Sequence, residues 1–195
     1  MEQESNDIIL FRQVKSDDRL ALNTLFARYY QKLCGFATTY IRQADEAEEV
    51  VSDVFVTLWK NRHHLVIEKN LKAYLYVSVR HAALAVIKKR QPLFEDIEDI
   101  LFENSHPDFH TPEQSLLHKE LQQYINDTVD ALPSRCKQVF LMSRVDELTY
   151  REISEILEIS ENTVENHLVK ALSVLRDSLK RYHHTEHHPR ALTEA

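Results

Sequence analysis

The stretch "LTYREISEILEISENTVENHLVKALSVLR" (residues 148–176) holds two helical periods broken by a short turn. Ile153, Ile156 and Leu157 share a face of the first segment; Val164, Leu168, Ala171, Leu172 and Leu175 share a face of the second. Thr149 and Glu152 have the spacing of a capping box, and Ser160 stands where it can cap the second helix. Two short helices joined by a tight turn are helix-turn-helix geometry, in which the second helix enters the major groove of DNA. The same pattern fits two core helices with solvated outer faces. The outer face of the second helix favours the first reading. Ser160, Asn162, Thr163, Glu165, Asn166, His167 and Lys170 offer groups for base edges and phosphates. Asn suits adenine, Glu the cytosine amine, and Lys guanine or phosphate. The turn itself is unusual, because it carries Glu158 where such turns often use glycine.

Working outward, "SRCKQVFLMSRV" is a helix that starts after Pro133, which breaks a longer one carrying Leu117, Leu121, Tyr124, Ile125, Thr128, Val129 and Leu132. Thr111, Pro112 and Gln114 form the start signature of that longer helix. In the N-terminal half, Leu22, Leu25, Phe26, Tyr29, Leu33, Phe36, Ala37, Tyr40 and Ile41 recur at spacings of three and four, with Asp17 or Asp18 as cap. A short helix is expected before it, over residues 8–14. In "EAEEVVSDVFVTLWKNR", Asp45 and Glu48 resemble a capping box and Val50, Val51, Val54, Phe55 and Leu58 form a stripe flanked by Glu46, Glu49 and Asp53. Asn70 is placed to cap a helix over residues 71–90, ended by Pro92. No β-strand pattern appears. The expected fold is all-α: two small helical domains, residues 1–92 and 113–182, joined by an acidic linker at 93–112, the second containing the helix-turn-helix. Residues 183–195 form a polar tail.

Composition removes several function classes. The 195 residues include a single glycine, Gly35, which leaves no phosphate-cradling or dinucleotide loop. Cys34 and Cys136 have no metal-like spacing and fit a reducing compartment. The acidic start "MEQESNDIIL" is unlike a secretion signal, and no run approaches the roughly 20 apolar residues of a membrane span, so a cytoplasmic location is expected. Net charge is −7, unevenly spread. Residues 1–92 carry 14 Lys and Arg against 11 Asp and Glu; residues 93–112 carry six acids and no base; residues 113–195 carry 10 bases against 14 acids. Residues 60–92 hold eight bases and one acid, either a solvated face or a local phosphate-binding patch that acts against the overall charge. Tyr74 and Tyr76 in that stretch are placed either to stack on unpaired bases or to pack. His183, His184, His187 and His188 fit a zinc site only weakly beside the alternative of a disordered polar tail, and no metal or other cofactor is expected. No catalytic arrangement emerges.

Taken together, these segments resemble a bacterial RNA polymerase sigma factor of the extracytoplasmic-function (ECF) type, over residues 6–182. "AEEVVSDVFVTLWKNR" is similar to the family's polymerase-binding helix, which assigns Glu48, Glu49, Asp53, Phe55 and Trp59 to core polymerase; Ser52 replaces a usual Gln. "NLKAYLYVSVRHAALAVIKKR" is similar to the segment that handles the downstream promoter element. Arg80, Lys88 and Lys89 match it in character, while His81 and Ala85 replace a common Asn and Asp; with Lys72 and Arg90 of the basic run, Tyr76 and His81, they make up the candidate contacts to downstream DNA. The helix-turn-helix is similar to the reader of the upstream element. The resemblance implies core RNA polymerase and promoter DNA as partners, an anti-sigma factor that is often membrane-anchored, and an acidic linker near the RNA path. It also accounts for the acidity, since a chain delivered to DNA by polymerase gains selectivity by avoiding phosphates alone. The competing readings are a freestanding helix-turn-helix regulator, which would bind promoter DNA unaided, and a helical metal-binding or scaffold protein, which would take up zinc stoichiometrically.

Overall fold

The computed structural model describes residues 2–41, 43–67, 70–90 and 116–186, and places eight helices and no strand among them. The first domain comprises α1 (Glu2–Lys15), α2 (Arg19–Thr38), α3 (Ala44–Asn61) and α4 (Leu71–Arg90). The second comprises α5 (Leu116–Asp130), α6 (Ser134–Arg144), α7 (Tyr150–Leu157) and α8 (Glu161–Glu186). None of these helices is long and apolar enough to cross a membrane.

Helix starts follow local chemistry. Asp18 caps α2, its Oδ1 accepting from the amides of Leu20 at 2.8 Å and Ala21 at 3.2 Å. Asn70 caps α4, accepting from Ala73 N at 2.8 Å. The capping box at Thr149 and Glu152 is complete, and Ser160 Oγ accepts from Thr163 N at 3.0 Å. The expected box at Asp45 and Glu48 does not form. Gln43 is the N-cap and makes no side-chain cap bond, so Asp45 and Glu46 lie inside the first turn, where a carboxylate acts on the helix dipole instead. The helix before α2 is longer than expected, and α8 runs to Glu186, past the boundary drawn for the tail. The start signature at Thr111, Pro112 and Gln114, the acidic linker and the tail from residue 187 lie outside the described residues.

The stripe of α3 (Val50, Val51, Val54, Phe55, Leu58) packs against Leu25, Tyr29, Leu33 and Phe36 of α2 and Leu75, Tyr76 and Val79 of α4 in one buried cluster. Phe36 anchors two ring contacts, to Tyr40 at 5.3 Å and Tyr76 at 5.0 Å between centroids. That cluster continues into the second domain through Val139, Met142, Leu148, Ile153, Ile156, Val164 and Leu168. A smaller one (Val129, Leu132, Cys136, Ala171, Leu175) joins α5 and α6 to the middle of α8.

Gly35 sits within α2, whereas the three left-handed backbone positions among the described residues are all acids: Asp17, Glu147 and Glu158, with φ of 69°, 55° and 58°. Glycine would adopt this conformation at less cost. Each of these acids is tied to a cation. Asp17 Oδ1 accepts from Arg62 Nε at 2.5 Å, Glu158 Oε1 from Arg80 Nη1 at 2.8 Å, and the Glu147 carbonyl from Lys72 Nζ at 3.1 Å.

Candidate polymerase and DNA interfaces

The α7–α8 pair has the expected helix-turn-helix arrangement. Ile153, Ile156 and Leu157 of α7 and Val164 and Leu168 of α8 are buried, and Glu158 makes the turn in left-handed conformation. Opposite this apolar stripe, α8 exposes Glu161, Asn162, Glu165, Asn166 and Lys170. Ser160 is exposed and Thr163 half-buried, the two hydroxyls 2.8 Å apart, so both serve the cap first. His167 is half-buried beside Cys136, with Nδ1 3.5 Å from Sγ. Burial and the nearby Arg135 and Lys170 hold its imidazole below the ordinary range, which keeps it neutral at pH 7.

On α3, Glu49, Asp53, Val56 and Lys60 lie along one exposed row, with Glu48 beside it. Val56 is 47% exposed, an apolar side chain in the middle of a charged face that periodicity alone did not single out. Trp59 is half-buried; the Arg62 guanidinium stacks over its ring at 4.0 Å and donates to its carbonyl at 2.6 Å. Phe55 is not available to a partner. It is 4% exposed and packs edge-on against Phe26, on the same stripe as Val51 and Leu58, so its expected polymerase contact is replaced by a core role.

On α4 the basic residues divide in two. Lys88, Lys89, Arg90 and His81 are exposed, Arg90 paired with Glu46. Lys72, Tyr76 and Arg80, one stripe at spacing four, face the second domain. Tyr76 is fully buried against Phe36 and beside Asp146, so in this arrangement no base can reach it, and packing is its role here. Lys72 Nζ donates to the carbonyls of Asp146 at 2.5 Å and Glu147 at 3.1 Å. Arg80 is 15% exposed in its pair with Glu158, with His81 Nε2 3.8 Å from the same oxygen. Asn70 Nδ2 donates to Glu152 Oε1 at 2.8 Å, and Gln138 Nε2 to Thr39 Oγ1 at 3.3 Å. These polar contacts border the apolar continuity described above and form a seam that joins α4 and the end of α2 to the α6–α7 corner.

Comparison with known proteins accounts for the two halves. Residues 25–92 match the family model described as sigma-70 region 2, and residues 122–175 match sigma-70, region 4. The ECF RNA polymerase sigma-E factor of Haemophilus influenzae is 26% identical over 187 residues, which span 92% of this chain and 98% of that protein; the sigma-E factor of Escherichia coli K12 is 24% identical over 187 residues, 92% and 97%. The chain belongs to the ECF-type sigma factors. Among solved structures, the fold of this sigma factor is similar to CnrH in complex with the cytosolic domain of CnrY (TM-score 0.59, 19% identity, covering 90% of this chain and 97% of that one). It is similar also to the sigma factor RpoE in complex with the anti-sigma factor NepR from Bartonella quintana (TM-score 0.59, 21% identity, 81% and 96%). The sigma factor binds core RNA polymerase and promoter DNA and directs promoter-specific transcription initiation.

The seam gives the sigma factor a pH dependence. Burial pushes the Asp146 carboxyl up to about 7, against the pull of the Tyr76 hydroxyl and the ammonium groups of Lys32 and Lys72. A raised carboxyl favours the packed state while protonated, so this contribution is complete at low pH and disappears as pH rises through about 7. Burial also works to raise Glu152, but hydrogen bonds from Asn70 and Thr149 and the charge of Lys72 hold it below its ordinary range; the hydrogen bond and charge of Arg80 do the same for Glu158. Those two contributions vanish on strong acidification. The seam is therefore expected to be tightest at about pH 4–5, where both kinds of contribution are largely present, and to loosen steadily as pH rises through about 7. Small-angle scattering across that range should show the radius of gyration rising with pH, and Asp146→Asn should flatten the response.

Proposed function

We propose that this sigma factor divides its contacts among three helices and performs no bond chemistry itself, the polymerase being the enzyme. Residues 1–92 act as the polymerase-binding and downstream-element domain. The α3 row of Glu48, Glu49 and Asp53, with Val56 and the edge of Trp59, docks on core polymerase: an apolar centre ringed by carboxylates suits a groove with a basic rim. The basic α4, with Lys72, Arg80, His81, Lys88, Lys89 and Arg90, receives the downstream element and its unpaired strand. Residues 113–182 read the upstream element through α8. The observation that carries this reading is the outer face of α8, where Asn162, Glu165, Asn166 and Lys170 are exposed on a helix whose position is fixed by two caps and a buried stripe.

The sigma factor is proposed to act in the cytoplasm. The two solved relatives were captured with CnrY's cytosolic domain and with the anti-sigma factor NepR, which supports a protein inhibitor as the regulator of this chain as well; its membrane anchoring is proposed from the family resemblance alone.

Run-off transcription over genomic promoter fragments, with core polymerase alone and with the added chain, tests the proposal: transcripts that start at defined sites only when both are present are expected. Tight, salt-sensitive promoter binding by the isolated chain would favour the freestanding regulator instead. Within α8, Asn166→Ala should relax discrimination at one base pair of the upstream element by about 1–3 kcal/mol. Lys170→Ala should weaken all sequences alike and reduce the salt dependence by about one unit. Competition binding of the polymerase holoenzyme to single-base-pair variants at several salt concentrations distinguishes the two.

A further inference from the structure

We propose that the second domain is an internal lock: its α7 corner covers the DNA-binding stripe of α4, so that closing the seam and binding the downstream element exclude one another. The proposal rests on the reading of α4 as a DNA-binding helix.

Three observations carry it. First, Lys72, Tyr76 and Arg80 lie at spacing four on a single stripe of α4; Lys72 and Arg80 bond to the second domain, and Tyr76 between them is fully buried, its ring against Phe36. Second, every partner atom offered to the cations of that stripe is an oxygen acceptor: the carbonyls of Asp146 and Glu147 for Lys72, the carboxylate of Glu158 for Arg80. These are the acceptors that phosphate oxygens would replace, and Arg80 cannot serve both. Third, Glu158 holds a left-handed turn that glycine would fill with less strain, and its side chain reaches across to Arg80 and His81. The masking is selective, because the outer face of α8 and the C-terminal basic end of α4 stay exposed while the Lys72–Tyr76–Arg80 stripe is covered.

Asn70 and Glu152 allow the lock to be opened without damage to either domain. Asn70 caps α4 through Oδ1 and donates across the seam through Nδ2. Asn70→Asp keeps the cap, removes the donor and sets two carboxylates against each other. Glu152→Gln retains the capping-box side chain and supplies a donor for the new aspartate. The full chain is therefore tested in three forms, wild type, N70D and N70D/E152Q. Each is measured by interdomain energy transfer and by anisotropy titration of a fluorescein-labelled single-stranded DNA at low salt. N70D is expected to separate the domains and to bind the strand about ten-fold more tightly, and the double variant to return to wild type in both. Unchanged separation and affinity in N70D would overturn the lock, as would a double variant that stays open. Separation without gained affinity would overturn the masking together with the DNA reading of α4.

Discussion

Asp53→Arg is expected to abolish stable assembly with core polymerase while leaving the free chain folded. Asp53 is exposed in the middle of α3, between Glu49 and Val56 on the outward row. Arginine is a better helix former than aspartate, and exposed substitutions of this kind change stability by no more than about 0.5 kcal/mol. At the centre of a charged interface, by contrast, reversal replaces an attraction with a repulsion. The expected cost is about 3 kcal/mol or more, a loss of roughly two orders of magnitude in affinity. Asp53→Asn, which removes the charge without reversing it, should lose much less. Size-exclusion of the chain with core polymerase, with far-UV circular dichroism as the control for folding, checks both; normal assembly of the arginine variant would take α3 out of the interface.

The second large effect concerns the fold. Asp7 is 2% exposed in the first domain and accepts from the Arg28 guanidinium and from the Tyr29 hydroxyl, which is itself buried. Burial, and then the adjoining carboxylate, push the Tyr29 hydroxyl far above its ordinary range, so it stays a donor at all working pH values. Asp7→Ala leaves a buried hydroxyl and a partly buried guanidinium facing a void. Breaking such a network by removing one partner costs about 3–5 kcal/mol. For a domain of this size the melting temperature should fall by about 10 °C or more. Asp7→Asn keeps an acceptor for Tyr29 and should fall less. A calorimetric scan that finds Asp7→Ala as stable as wild type would show that the network contributes little.

What the sequence disclosed was local. The caps at Asn70, Thr149 and Ser160 act on amides two or three residues away, and their residue types announce them. The apolar stripes follow the helical period, and with them the all-α class. Asp45 was misread because an acid near a helix start has two uses, as a cap or as a charge on the dipole, and spacing alone does not separate them. The family resemblance gives Phe55 to polymerase and aromatic character makes Tyr76 a stacking candidate, although Phe55 lies on the same apolar stripe as Val51 and Leu58, which marks it as core. The seam left almost no trace in the sequence. Its bonds join residues 74 to 99 positions apart, and nothing at Asn70 points to Glu152. The sole clue was Glu158, an acid where glycine was expected.

The corner between α1 and α2 reaches further than its position suggests. Asp17 there holds the Arg62 guanidinium, which in turn covers the Trp59 ring. The indole's attitude on the docking row is thus governed from a bend at the opposite end of the domain's chain. A glycine introduced at that bend would relax the backbone and at the same time set the indole loose, so a change made to stiffen the N-terminal region would surface as a defect in enzyme recruitment.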